Sequence, residues 1–226
     1  MNVLVACEES QRVCIAFRER GHRAFSCDIQ PCSGGHPEWH IQGDVLPLLN
    51  GCCTFYTMDG SRHEQGWRWD LIIAHPPCTD LAISGARWFC EKQKDYRQQK
   101  SVAFFMHFVL AHCDHIAVEN PVGIMSSVYR KPDQIIQPYE YGDPYRKKTC
   151  LWLKGLRPLE PTNIVEPKIK VYQRADGRVT TFSEDYGSGD EGHGSRRSKT
   201  YHGIAEAMAE QWGDLYNCEI QLELEL

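Results

Sequence analysis

Five short strand-like runs set the strongest limit on what this chain can fold into: Asn2–Ala6, His22–Asp28, Asp70–Ala74, His115–Glu119 and Thr149–Leu153. Asp70-Leu71-Ile72-Ile73-Ala74 is the clearest, apolar at every position after the first, the composition of a strand covered on both faces. Segments with helical spacing lie between the runs. Ser10 to Arg20 puts Val13, Cys14 and Phe17 on one face and stops at Gly21; Tyr96 to Cys113 does the same with Val102, Phe105, Met106 and Val109. A last helix is expected from Gly203 to Tyr216. Strands alternating with helices of this length predict an α/β fold with a doubly wound, mostly parallel sheet. Thr149–Leu153 is expected at an edge or antiparallel.

A length of 226 residues allows one sizeable core. Residues 1–155 and 200–226 read as one catalytic domain. Residues 156–199, dominated by Pro, Gly, Ser and charged side chains, read as a short, basic, partly flexible insertion. Gly51–Trp67 reads as a loop or a small hairpin. The net charge of −5 argues against a simple electrostatic nucleic-acid binder, but its distribution is uneven. Residues 145–200 carry 12 basic and 7 acidic side chains, and residues 201–226 carry no basic and six acidic ones. A polyanion would sit against the basic block; a solvated loop is the plainer reading. No apolar stretch approaches the roughly 18 residues of a membrane span, and the N-terminus lacks a signal-peptide layout, so no membrane partner is expected. Eleven cysteines, scattered through strand-like and helix-like runs, fit a reducing compartment, and the cytoplasm is the expected location.

In an open α/β sheet, ligands bind beyond the carboxyl ends of the strands. The residues there are Cys7 to Ser10, Asp28, Asp44, His75 to Thr79 and Glu119 to Pro121. Asp28 follows the first strand by about twenty residues, the interval at which an acid meets a ribose hydroxyl in nucleotide folds. Asp44 is placed to accept from an adenine amino group, although either acid also suits a cap or turn. Cys7, Glu8, Ser10, Asp28, Asp44 and Pro76 are the cofactor-binding candidates.

Two strings carry the chemistry, Ala74-His75-Pro76-Pro77-Cys78 and Val118-Glu119-Asn120-Pro121. The prolines stiffen a strand exit and fix where the next side chain points, which poises Cys78 as a nucleophile. A carboxyl at Glu119, its pKa raised in a closed cleft, would donate to ring nitrogen 3 of a pyrimidine and make carbon 6 electrophilic. Inert packing for Cys78 and a surface charge for Glu119 are the plain alternatives.

These strings resemble the DNA cytosine-5 methyltransferases, whose catalytic loop is Pro-Cys after a strand and whose second catalytic element is Glu-Asn-Val. Pro77-Cys78 and Glu119-Asn120-Pro121 stand in that order here, so the chain reads as a short, divergent member, of a kind that suits phage modification or a host restriction companion. Gly142-Asp143-Pro144-Tyr145-Arg146-Lys147-Lys148-Thr149 resembles the family's later basic element, with Arg146 the catalytic candidate and Lys148 second. Thr200 to Trp212 stands where the family returns to its cofactor. The resemblance implies a Rossmann-like methyltransferase fold, S-adenosylmethionine (or a modified sulfonium relative) as cofactor, DNA as partner, and covalent attack of Cys78 on an extruded cytosine. Ser84, Arg87, Asn120 and Lys148 are the substrate-binding candidates.

Three departures from the family stand out. Ala6-Cys7-Glu8-Glu9-Ser10-Gln11 lacks the family's glycines, Thr79-Asp80 replaces its usual Gln, and the region that would read DNA is short, so a protein partner is expected to supply recognition. A non-catalytic DNA-binding or decoy protein on a degenerate fold therefore competes, as does an enzyme acting on a soluble pyrimidine nucleotide. The exocyclic-amine methyltransferases use Asp- or Asn-Pro-Pro followed by an aromatic residue, which His75 and Cys78 do not supply. Cys27, Cys32, His36 and His40 have a spacing too short for a zinc finger, and no metal is assigned.

Overall fold

The strand-like runs pair into a single seven-stranded sheet. The structure, a computed structural model, describes residues 1–84, 89–173, 177–183 and 199–215. In chain order the strands are β1 (Asn2–Ala6), β2 (Arg23–Asp28), β3 (His40–Gln42), β4 (Cys53–Tyr56), β5 (Arg62–Gln65), β6 (Leu71–Ala74), β7 (Ile116–Pro121), β8 (Gln134–Ile136), β9 (Thr149–Lys154), β10 (Ile169–Gln173) and β11 (Val179–Ser183). The helices are α1 (Arg12–Glu19), α2 (Phe89–Lys94), α3 (Arg97–Val109), α4 (Met125–Val128) and α5 (His202–Trp212). Tyr216, the expected end of the last helix, lies outside the described residues.

The sheet order is β3-β2-β1-β6-β7-β9-β8. β3, β2, β1, β6 and β7 run parallel, and β9 is antiparallel to both β7 and β8. An α/β, mostly parallel sheet is therefore present, with the Thr149 strand reversed, in an arrangement compatible with a Rossmann-like fold. The three-residue β8 escaped the sequence reading. Gly51–Trp67 holds the β4–β5 hairpin, and the basic segment after residue 156 contains a second hairpin, β10–β11.

Successive side chains of the buried strands point to opposite faces of the sheet and form two cores. Leu4, Ala6, Ile72, Ala74, Ile116, Val118 and Trp152 face α3, whose Phe105 and Phe108 fill that side. Val3, Val5, Leu71, Ile73, Ala117 and Leu151 face α1 and α5, packing on Phe17, Ile204, Met208 and Trp212. Helices on both faces explain why the strands are apolar throughout. From β1 the chain winds outward to β2 and β3, and from β6 outward to β7. The order reverses between β1 and β6, the point at which an open sheet leaves a ligand crevice.

Candidate active site

The exit of β1 turns sharply without glycine. Cys7 and Gln11 adopt φ values of 59° and 60°, the left-handed region a glycine usually fills. Two anchors hold the turn. Glu8 donates its backbone N–H to the Cys27 carbonyl, and the Gln11 side chain bonds both the N–H and the carbonyl of His36. The glycine the turn needs lies across from it. A Cβ at Gly34 would stand 2.7 Å from Gln11 Cβ and from the Ser10 carbonyl oxygen.

Glu8, 3% exposed, points its carboxylate at the start of α1 and accepts from the amides of Val13 (2.6 Å) and Cys14 (3.2 Å). It thus caps a helix whose N-cap residue, Gln11, makes no side-chain cap. Burial pushes its carboxyl up to about 7, against the pull of His75 and of the two amide bonds. Ser10 is buried, and burial raises the half-buried Cys7 thiol far above its ordinary range.

Next along the rim, Asp28 and Asp44 come together. The Gly43 amide bonds the Asp28 carbonyl, and β2 and β3 pair Asp28 with Gln42. Each acid spends one oxygen on a turn: Asp28 accepts from the Gln30 amide, Asp44 from that of Leu46. Ile29, 77% exposed beside Asp28, adds an apolar face that the sequence reading passed over.

Cys78 and Glu119 leave neighbouring strands. Ala74 on β6 pairs with Val118 on β7, so the next residues of the two, His75 and Glu119, stand side by side where that pairing stops. Their loops are tied together. Asn120 Nδ2 donates to the Pro76 carbonyl (2.8 Å), Ile83 N–H to that of Val122, and Ile124 N–H to that of Leu81. A Cβ at Gly123 would come within 2.2 Å of the Leu81 carbonyl oxygen, so only glycine lets the two loops meet. The Cys78 carbonyl accepts from Leu81 and Ala82, and its thiol stands at the exposed surface of this turn. Behind the turn, Lys92 pairs with Asp80 (3.1 Å) and bonds the Thr79 carbonyl, while Gln98 bonds that of Asp80.

Glu119 overturns one expectation. Burial pushes its carboxyl up, but the hydrogen bond from His75, the charge of Lys147 and the charge of His75 together hold it below the usual carboxylate range. His75 Nδ1 lies 2.9 Å from Glu119 Oε2, with side chains only 8% and 11% exposed. The closed cleft alone does not decide the shift.

Within the basic element, Lys147 acts on Glu119 and lines a small cavity with Glu119, Thr149, Thr200, Tyr201 and Ile204. The pattern was readable: Lys147 and Thr149 share a side of the chain, while Arg146 and Lys148 are exposed on the other. Lys147 also lies 5.7 Å from the Tyr201 ring, which neighbours Tyr145, so the segment entering α5 closes this end of the site. His75 stands among the strand-exit residues of the sequence, but its pairing with Glu119 rests on the register of β6 with β7, which only the structure gives. Ser84 is exposed on the loop after Cys78, and Arg87 lies outside the described residues.

The cysteines and histidines of residues 27–40 are engaged separately. Cys27 bonds the Gly43 carbonyl, His36 stacks on Trp39 at 3.9 Å, and His40 bonds Ser26 and the Gln30 carbonyl. Among the described residues no cluster of three or more His, Cys, Asp or Glu side chains forms a metal site, and no helix is long and apolar enough to cross a membrane. The chain matches no protein-family model, and no curated protein matches its sequence significantly.

Proposed function

We propose that this chain is a DNA-modifying enzyme of the cytosine-5 methyltransferase kind. The observation that carries the reading is the stitched pair of strand exits, with a thiol on one, a carboxylate on the other, and Asn120 and Gly123 holding them in register. In the proposed reaction Cys78 adds to carbon 6 of an extruded cytosine. The π pair shifts through carbon 4 to nitrogen 3, which Glu119 protonates. Carbon 5 becomes the nucleophile towards an electrophilic carbon, and once substituted it loses its proton to water as Cys78 is expelled, which restores the ring. Extrusion is required because carbon 6 is stacked within a duplex. Lys147 steadies the Glu119 carboxylate between turnovers.

The rim suits a sulfonium cofactor better than a dinucleotide. In dinucleotide folds a pyrophosphate sits on the N-terminus of the first helix; here the Glu8 carboxylate occupies those amides. With its amides taken, that terminus has no cradle for a phosphate, while Asp28 and Ile29 offer a ribose acceptor and an apolar face for a purine. The residues therefore fit S-adenosylmethionine, which would supply an electrophilic carbon to carbon 5. The reversed β9, inserted beside β7 where a dinucleotide fold continues in parallel, is compatible with a methyltransferase sheet. DNA in a cytoplasm is the proposed setting, with a protein partner adding sequence recognition. The same filled helix terminus favours one second reading, a DNA binder without catalysis.

Mass spectrometry of nucleosides from methylation-free cells expressing the chain tests the function, beside a Cys78→Ser control. A new cytosine species absent from the control is expected, and its mass names the transferred group. Unmodified DNA that the purified protein nevertheless binds would overturn catalysis in favour of the second reading.

A further inference from the structure

His75 ties three strands at the switch point. Its backbone N–H donates to the Ala6 carbonyl at the end of β1 (2.9 Å), and its ring holds Glu119 on β7. Pro76 restricts the His75 backbone to an extended conformation, so the ring is presented from a rigid support. The side chain is 8% exposed, and Nε2 is buried with no protein hydrogen-bond partner among the described residues. Four ionisable groups face this ring or its partner: Glu119 on β7, Glu8 on the β1 exit, Lys147, which acts on Glu119 from the segment before β9, and the Cys150 thiol on β9, on which Glu119 acts.

That setting poses a problem for the proposed reaction, on which this inference rests. Glu119 must give nitrogen 3 a proton, yet its neighbours favour the ionised carboxylate. We propose that His75 is the proton source: the His75–Glu119 pair holds one proton, which passes from Nδ1 to the carboxylate and on to nitrogen 3. As Cys78 adds to carbon 6 the π pair reaches nitrogen 3, and the proton that His75 gives up is relayed there through the Glu119 carboxyl, leaving His75 neutral and Glu119 ionised. On elimination of Cys78 the proton returns from nitrogen 3 by the same path. No other reactant is consumed. Nδ1 lies at hydrogen-bond distance from the acceptor, and neither ring nor carboxylate has to move. His75 is a positioning and proton-supplying residue; Glu119 is the group that touches the base.

The test isolates ring activation from alkyl transfer. With no methyl donor present, the adduct's carbon 5 takes a proton from water, so duplex DNA tritiated at cytosine carbon 5 releases its label. Release is followed against pH for the wild type, His75→Gln, His75→Ala and Cys78→Ser. Wild-type release is expected to fall at high pH where the pair loses its proton. In His75→Gln that limb should move to lower pH with at least a tenfold loss near neutrality, and added imidazole should restore His75→Ala. Wild-type release with His75 variants slowed equally at every pH, or unaffected, would overturn the relay while leaving the cytosine chemistry intact. No wild-type release above the Cys78→Ser background would overturn the chemistry itself, and the relay with it.

Discussion

Glu8 and Glu119 are both buried carboxylates at strand ends, and their ionisation is driven in opposite directions. Burial disfavours the charged form of each. For Glu8 burial wins and raises the carboxyl to about 7; for Glu119 burial loses to His75 and Lys147. A neighbour's identity, not the depth of the pocket, decides which acid holds a proton. Lys147→Met should therefore raise the titration point of Glu119, whereas Lys148→Met, whose charge bears on Cys150, should leave it in place. Carboxyl-carbon NMR of glutamate-labelled protein reads both. An equal response to the two substitutions would return the basic element to an undifferentiated patch.

At the scale of elements, α1 depends on a side chain outside it. Glu8 caps the helix from the strand exit, so strand and helix are held by one carboxyl group. Its pKa is raised above the ordinary 4.5, so between that value and about 7 the folded state holds a proton that the unfolded chain has released. The stability this contributes is present below 4.5 and is lost as pH rises through 7. Relative to wild type, Glu8→Gln should therefore be more stable at pH 8 than at pH 5, by up to about 3 kcal/mol at roughly 1.4 kcal/mol per pKa unit. Denaturant midpoints at the two pH values check this; a difference that does not change with pH would mean that Glu8 is ionised throughout. The strands were legible because helices cover both faces of the sheet, which leaves an apolar run such as Leu71–Ala74 unmistakable. β8, with three residues, was too short to show a period. The placement of Cys78 and Glu119 beyond the β6–β7 pairing was legible because it follows from a local apolar run on each side. The His75–Glu119 contact was not: it spans 44 residues and exists only through the register of β6 with β7.

Over the whole molecule, charge and fold are segregated along the chain. The protein is acidic, yet Arg146 and Lys148 are exposed just before β9, and Lys168, Lys170 and Arg178 belong to the segment that forms the β10–β11 hairpin. The Lys168 amide bonds the Pro144 carbonyl, so the hairpin starts beside the loop that delivers Lys147 to the site. A phosphate backbone drawn to these cations would be drawn to the Glu119 end of the sheet. Such contacts position a duplex without reading its sequence. Replacing Arg146, Lys148, Lys168 or Lys170 singly by Gln should weaken binding about equally for any DNA sequence. Each should also reduce the slope of log affinity against log salt by about one. Being exposed, Arg146 and Lys148 should leave the melting temperature within the small range usual for surface changes. Binding isotherms at several salt concentrations, on two unrelated duplexes, measure the slope. A sequence-dependent loss would make one of these cations a reader of bases, and an unchanged slope would move the DNA-binding face away from this end of the sheet.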